Sequence, residues 1–303
     1  MNNPKANLFI VGAAKSGTTS LYRYLREHPE IYMSRIKEPH HFSSAEHPDL
    51  KMYGLPSDNL EYHSRMIKKP DEYSQLIEPG KDAIYRGEAS PSYLYDKRTA
   101  EKIYNYNKHA RILIILRHPV DRAISHFKMT GRQGMAYSRN LMDVLKYDET
   151  VSDKRWNGQA SLILELGYYT DQINRYFEFF QRQQVKIVTF EDLISDPFPV
   201  VSDICIWLDL KPDIHPEVFR KQHNPSSGFT MYSSKIKAVS GAEGVIRKIK
   251  QRVPGLVEYV KRGLSHLQPD VIIPEEAMHY LKEKYRPETD RLNSSYGIHY
   301  TIE

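Results

Sequence analysis

The stretch spanning residues 8–25, LFIVGAAKSGTTSLYRYL, constrains the fold more than any other part of the chain. Residues 8–11 form a short continuous apolar run. Gly12, Ala13 and Ala14 follow with almost no side chain, and Lys15, Ser16, Gly17, Thr18 and Thr19 then form a tight polar cluster. Leu21 and Leu25 lie four apart and share one helical face. The pattern predicts a buried strand, a small-residue loop and a helix start. A helix start presents unpaired backbone N–H groups and the positive end of a dipole, so it favours anions. Lys15 adds a full charge and the hydroxyls add donors; the stretch reads as a phosphate cradle. It departs from the usual nucleotide loop, G-x-x-x-x-G-K-[ST], in which the lysine follows the second glycine. Here Lys15 precedes Gly17. The plainer alternative is a strand-to-helix turn carrying a solvated lysine.

The 303 residues allow one large domain or two small ones. No internal repeat, low-complexity tract or clear boundary divides them, so a single domain over 1–303 is expected. The net charge of +5 suits an anionic ligand and is too modest to argue for nucleic acid. The single cysteine, Cys205, excludes an internal disulfide and reads as a buried small hydrophobe. No apolar run approaches the length of a membrane span, and the opening MNNPKAN has no signal-peptide pattern. A cytoplasmic protein is the expectation.

Along the chain, residues 31–33 read as a short strand. Past it lies an ionisable cluster, Lys37-Glu38-Pro39-His40-His41-Phe42. Ligands of open α/β sheets bind beyond the carboxyl ends of strands, so parallel neighbouring strands would let Glu38, His40 and His41 face the cradle. Residues 43–80 read as an irregular excursion with short helices and scattered tyrosines. Residues 82–86 read as a strand leading into Gly87-Glu88-Ala89-Ser90-Pro91-Ser92-Tyr93, and 97–107 as a helix. The clearest buried strand is RILIIL at 111–116. Pro119 behind it fits a first helical position, which places Arg117 at a strand tip and Ser125 about two turns along the next helix. Residues 131–158 are polar and ambiguous. From Ala160, the recurrence of Leu162, Leu166, Tyr169, Ile173, Tyr176, Phe177 and Phe180 predicts a core helix. Residues 185–190 read as the last strand, a helix starts at Asp196-Pro197, and two helices, 274–285 and one after Pro287, close the chain. Residues 235–262 are strongly basic. They read as a solvated amphipathic helix pair, or else as a lid over an anionic ligand or a weak contact to a lipid surface.

Four of these segments resemble the sulfotransferases that use 3′-phosphoadenylyl sulfate (PAPS). Lys15-Ser16-Gly17-Thr18-Thr19-Ser20 looks like that family's 5′-phosphosulfate loop. Arg117 with Ser125-His126-Phe127 looks like its 3′-phosphate motif. Lys37-Glu38-Pro39-His40-His41-Phe42 is similar to the segment holding the catalytic carboxylate in the glycan-modifying branch, and Glu88-Ala89-Ser90-Pro91-Ser92-Tyr93 to a further segment of that branch. The resemblance covers residues 7–295. It implies a central parallel sheet flanked by helices, a three-layer α/β sandwich akin to the P-loop nucleotide kinases. It further implies PAPS as sulfuryl donor, its bisphosphate (PAP) as product, no metal, and a hydroxyl or amine of a glycan or small molecule as acceptor. The donor-binding residues it implies are Lys15, Ser16, Gly17, Thr18, Thr19, Ser20, Arg117 and Ser125.

The physics of the donor points the same way. PAPS is anionic at both ends of one ribose, so selecting it over ordinary nucleotides takes a second cationic site on a neighbouring strand. Hydrogen bonds to charged groups contribute roughly 1.5–3 kcal/mol each, whereas a surface ion pair, the plainer reading of Arg117, contributes about 0–1 kcal/mol. Sulfuryl transfer needs a base near the acceptor and a cation near the leaving oxygen. Lys15 is the candidate cation and Glu38 the candidate base, with His40 and His41 as rivals. Glu88 is a candidate for orienting Lys15 or the acceptor, or else a strand-end ion pair. The chain departs from the family pattern in three places: Ala89 stands where the glycan branch often has lysine, Ser20 where cytosolic members often have an adenine-stacking tryptophan, and no late basic loop matches cleanly. Phe190 and Lys235 are the substitutes on offer. The tyrosines and histidines of residues 40–95 suggest an acceptor pocket wall or, equally, partly buried surface aromatics. A P-loop-type kinase and a non-catalytic binder of nucleotide or anionic surfaces remain as alternatives.

Overall fold

The computed structural model describes residues 4–44, 61–62, 66–132, 136, 138–151, 162–220 and 271–302. In chain order its elements are β1 (Leu8–Gly12), α1 (Thr18–Arg26), β2 (Ile31–Met33), β3 (Ile36–Lys37), β4 (Glu61–Tyr62), α2 (Pro70–Ile77), β5 (Tyr85–Ala89), α3 (Ser92–Tyr95), α4 (Thr99–Tyr106), β6 (Arg111–Leu116), α5 (Pro119–Arg132), α6 (Leu141–Thr150), α7 (Tyr169–Phe177), β7 (Val185–Thr189), α8 (Phe190–Ser195), α9 (Pro197–Trp207) and α10 (Glu275–Tyr296). Five strands form one sheet in the order β2-β5-β1-β6-β7, and every pairing is parallel. Parallel neighbours need crossover connections, which place helices on both faces and bury the strands twice over.

The alternation of β1 and β6 shows this. Phe9, Val11, Ile112, Ile114 and Leu116 pack on one face against Tyr73, Ile103, Tyr169, Ile173 and Tyr176. Leu8, Ile10, Leu113 and Ile115 pack on the other against Leu21, Leu25, Val201, Ile204 and Cys205. The three-layer α/β sandwich expected from the sequence is the architecture observed. Among the described residues no helix is long and apolar enough to cross a membrane.

Several sequence expectations shift. β1 and β2 are not neighbours, because β5 lies between them. β5 starts three residues later than read, and Phe190 opens α8 instead of closing β7. The helix expected from Ala160 begins only at Tyr169: Leu162 has a left-handed backbone, its N–H and that of Leu164 donate to the Asp148 carboxylate, and a single 3₁₀ turn precedes α7. The hydrophobic stripe was real and buried, but a side-chain acceptor took the backbone donors that a helix would have used. The ambiguous region contains α6, whose first turn is capped by Asn140 accepting from the Met142 N–H.

The two closing helices are one. α10 runs through Pro287, which predicts a break at about 3 kcal/mol against Ala. Packing explains the continuity: Ala277, Leu281, Tyr285, Glu288 and Leu292 are all buried, and the Glu288 carboxylate accepts from both the N–H and the hydroxyl of Thr170. The basic stretch 235–262 and Lys235 lie outside the described residues.

Candidate active site

The cradle forms where β1 hands over to α1. Lys15 and Gly17 both have left-handed backbones, with φ of 67° and 89°. Only glycine adopts this freely, and at Gly17 a Cβ would also lie 2.7 Å from Phe190 Cδ2. Gly17 is the N-cap of α1 and makes no side-chain cap, and the first turn carries no acidic residue. The α1 N-terminus therefore keeps its positive end turned to the loop. Ser16 and Thr18 are buried, while Lys15, Thr19 and Ser20 are half-buried.

The second anchor lies beside the first. β6 pairs directly with β1, and the Arg117 guanidinium donates to the Lys15 carbonyl at 3.4 Å. Its face rests on the Phe190 ring, 4.6 Å from the centroid. The Lys15 ammonium reaches the other way, to Met129 Sδ at 3.3 Å. Met129 and Ser125 are four apart on α5 and share a face, so Lys15, Arg117 and Ser125 converge at one end of the sheet. Phe190 packs between the two anchors, beside Gly17, and not as a strand residue.

On the other side of β1, β5 carries Glu88, and the turn after β3 brings Glu38 to the end of that strand. The Glu38 N–H donates to the Ala89 carbonyl at 2.9 Å, which ties the segment to the end of β5 at Glu38. Lys37, Glu38 and His40 are all buried. The Lys37 ammonium donates to Glu38 Oε1, and His40 Nε2 lies 3.5 Å from Glu38 Oε2. His40 Nδ1 pairs with Ser92 Oγ at 2.6 Å, which in turn donates to Ser43 Oγ. Glu38 and His40 adopt φ of 63° and 50°. With Lys15 they make three of the five non-glycine residues in the left-handed region among the described residues, and such strain gathers at working sites. His41 turns away: its ring stacks on Tyr73 at 4.1 Å and its Nδ1 faces the Ile67 carbonyl, and burial lowers its pKa.

Glu88 has no exposed surface and, among the described residues, no ion-pair partner. It accepts from Tyr73, Tyr93 and Ser90 hydroxyls at 3.0, 2.7 and 2.7 Å. Burial pushes its carboxyl up to about 7 against the pull of those donors, and the charge of Glu38 adds to the rise. Burial and the Glu88 charge raise both tyrosines well above the ordinary range. Tyr73 and Tyr93 are thus interior struts, not a pocket wall. Ser90 Oγ also accepts the His40 N–H at 3.1 Å, and Tyr93 Oη accepts the Phe42 N–H at 3.3 Å. One buried carboxylate therefore braces both halves of the 38–42 turn.

Sequence reasoning brought Lys15, Arg117, Ser125, Glu38 and His40 forward; the structure puts Arg117 in contact with Lys15 and, separately, Glu38 beside His40, with Ser125 on the α5 face that carries Met129. It missed Lys37 as the partner of Glu38 and missed Tyr169, whose hydroxyl donates to the Arg117 carbonyl at 3.0 Å. The spacing Ser90-Pro91-Ser92 was the one available signal for the bracing of His40.

Comparison with known proteins bears on this geometry. The model of the sulfotransferase family matches residues 7–213. Human heparan sulfate glucosamine 3-O-sulfotransferase 5 is 27% identical over 248 residues, covering 80% of this chain and 64% of that protein. Human carbohydrate sulfotransferase 15 is 25% identical over 246 residues, covering 68% of this chain and 44% of its own. The chain thus spans less than two thirds of these relatives. A solved sulfotransferase from Alicyclobacillus acidocaldarius superposes with a TM-score of 0.63 at 27% identity, covering 96% of this chain and 95% of that one.

Proposed function

Because the chain belongs to the sulfotransferase family, we propose that it moves a sulfuryl group from PAPS to a hydroxyl or amine of a glycan or small-molecule acceptor. The observation that carries this reading is the contact between the two anchors: Arg117 at the β6 tip touches the Lys15 carbonyl at the β1 tip. A donor charged at both ends of one ribose needs two cationic grips side by side, and an ordinary nucleotide needs one.

In this reading the α1 N–H groups, Ser16, Gly17, Thr18, Thr19 and Ser20 hold the 5′-phosphosulfate, and Arg117 with Ser125 holds the 3′-phosphate. The Lys15 ammonium sits at the bridging oxygen and offsets the charge that grows there as the S–O bond breaks. Glu38 takes the acceptor's proton as its oxygen or nitrogen attacks sulfur in line. Lys37 holds one carboxylate oxygen and so fixes the direction of the base, with His40 Nε2 3.5 Å from the other. His41, stacked and turned inward, is the weaker rival to Glu38; His40 supports Glu38 from beside it.

The test is a comparison of ligands on the purified chain. At about a hundredfold excess over its dissociation constant, PAP should stabilise the fold by roughly 2.7 kcal/mol, and ATP with magnesium at the same concentration should do much less. Incubation with labelled PAPS and an acceptor panel should then add one sulfuryl group to a member of that panel. Greater stabilisation by ATP would overturn the reading.

A further inference from the structure

Beyond the two anchors, the tip of β6 carries a group of enclosed polar atoms with no part in the mechanism above. The peptide unit joining Arg117 to His118 is held at both ends. Its carbonyl accepts from the Tyr169 hydroxyl at 3.0 Å, and its N–H donates to Glu191 Oε1 at 2.9 Å. Glu191 lies in the first turn of α8. The chain beyond α10 folds back onto the same corner. His118 Nε2 pairs with the Thr301 carbonyl at 3.2 Å, and the Tyr300 ring stands edge-on to the imidazole at 5.4 Å. His118 Nδ1, Glu191 Oε2 and Tyr300 Oη are enclosed, and among the described residues none of the three has a well-formed hydrogen-bond partner. Burial first, then the Glu191 charge, drives the Tyr300 phenol far above its ordinary pKa, so it faces the carboxylate as a neutral hydroxyl.

A carboxylate beside an anion-binding arginine works against the ligand's charge. It is also expensive to enclose, because a buried charge loses its hydration. Its one short hydrogen bond goes to the N–H that follows Arg117. That bond and the Tyr169 bond together fix the peptide plane on the carboxyl side of Arg117, and so hold the backbone from which the guanidinium leaves the strand.

We infer that Glu191, backed by Tyr300 and Thr301, is a positioning residue for the 3′-phosphate end of the donor. The inference rests on the PAPS reading. The segment after α10 is then part of the donor site through its contacts to His118. A guanidinium held in one direction loses less freedom when it meets a phosphate, and a well-aimed charge-assisted pair is the kind most sensitive to aim.

The experiment is calorimetric titration of the full chain with PAP and with AMP, which lacks the 3′-phosphate. Wild type should prefer PAP. Glu191→Ala should lose roughly tenfold of that preference, the size of one charge-assisted hydrogen bond, with the KM for PAPS rising and kcat nearly unchanged. Glu191→Gln keeps an acceptor for the His118 N–H and should retain the preference to within about threefold of wild type by the same reasoning. His118→Ala, at a half-buried ring, is the second variant; it removes the seat of the tail and should also lower the preference. A merely structural role would lower the melting temperature and weaken both nucleotides equally. A preference unchanged in both Glu191→Ala and His118→Ala overturns the inference while leaving the donor reading intact. Equal binding of PAP and AMP by wild type overturns the donor reading and this inference with it.

Discussion

Glu88, closed off from solvent among three hydroxyls, carries a titration near neutrality into the interior. Its carboxyl is raised from 4.5 to about 7. Between these values the folded protein holds a proton that the unfolded chain has released, so stability is full at low pH and falls as pH rises through 7. The loss is on the order of 3 kcal/mol at most. Urea denaturation at pH 5 and pH 8 should show wild type losing stability across this interval relative to Glu88→Gln, which cannot titrate; parallel behaviour of the two would refute it. Glu38 makes a different prediction. Glu38→Gln keeps the shape of the pair with Lys37 but cannot accept a proton, so kcat should drop roughly 10²–10⁴-fold while PAP affinity stays unchanged in a direct titration. Glu38 was legible because Lys37-Glu38-Pro39-His40-His41-Phe42 gathers ionisable groups after a strand. The role of Glu88 was not, since its partners Tyr73 and Tyr93 come from α2 and α3, and only folding brings their hydroxyls to one carboxylate.

The elements that carry the site differ in how much local sequence governs them. The β1–α1 turn is governed almost wholly by its own residues: small ones where Leu94 and Phe190 press close, and Gly17 where a positive φ meets the Phe190 ring. Gly17→Ala should therefore be costly beyond its size. It forces a left-handed alanine, at about 1–2 kcal/mol, against the Phe190 ring that also carries Arg117. Thermal melting and PAP titration should both register it, as lower stability and weaker binding; a variant matching wild type in both would contradict the packing described. β6 and α5 were equally plain, from RILIIL and from Pro119. α7 and α10 were not. In each, a tertiary partner decided the matter: the Asp148 carboxylate holds the 162–164 backbone out of a helix, and Thr170 with the buried stripe of α10 carries that helix through Pro287. Periodicity identified the buried face in both cases and could not locate the ends.

Across the whole molecule, the strand order sets β1 at the centre between β5 and β6, with β2 and β7 at the edges. Amide hydrogen exchange should follow this order, with the amides of Ile10 and Ile114 among the slowest and those of Tyr32 and Lys186 faster; reversed protection would dispute the topology. Parallel order could be anticipated from the succession of apolar strands and helices, whereas the insertion of β5 between β2 and β1 could not, because nothing local marks which strand a parallel strand adopts as neighbour. That insertion divides the labour of the fold. The proposed donor anchors, Lys15 and Arg117, lie past the ends of β1 and β6, whereas Glu88 lies in β5 and Glu38 is bonded to the end of that strand. On the proposed reading, grafting the 34–44 turn with its α2 and α3 struts from a relative should change which member of an acceptor panel gains mass from labelled PAPS, while the affinity for PAP stays as it was.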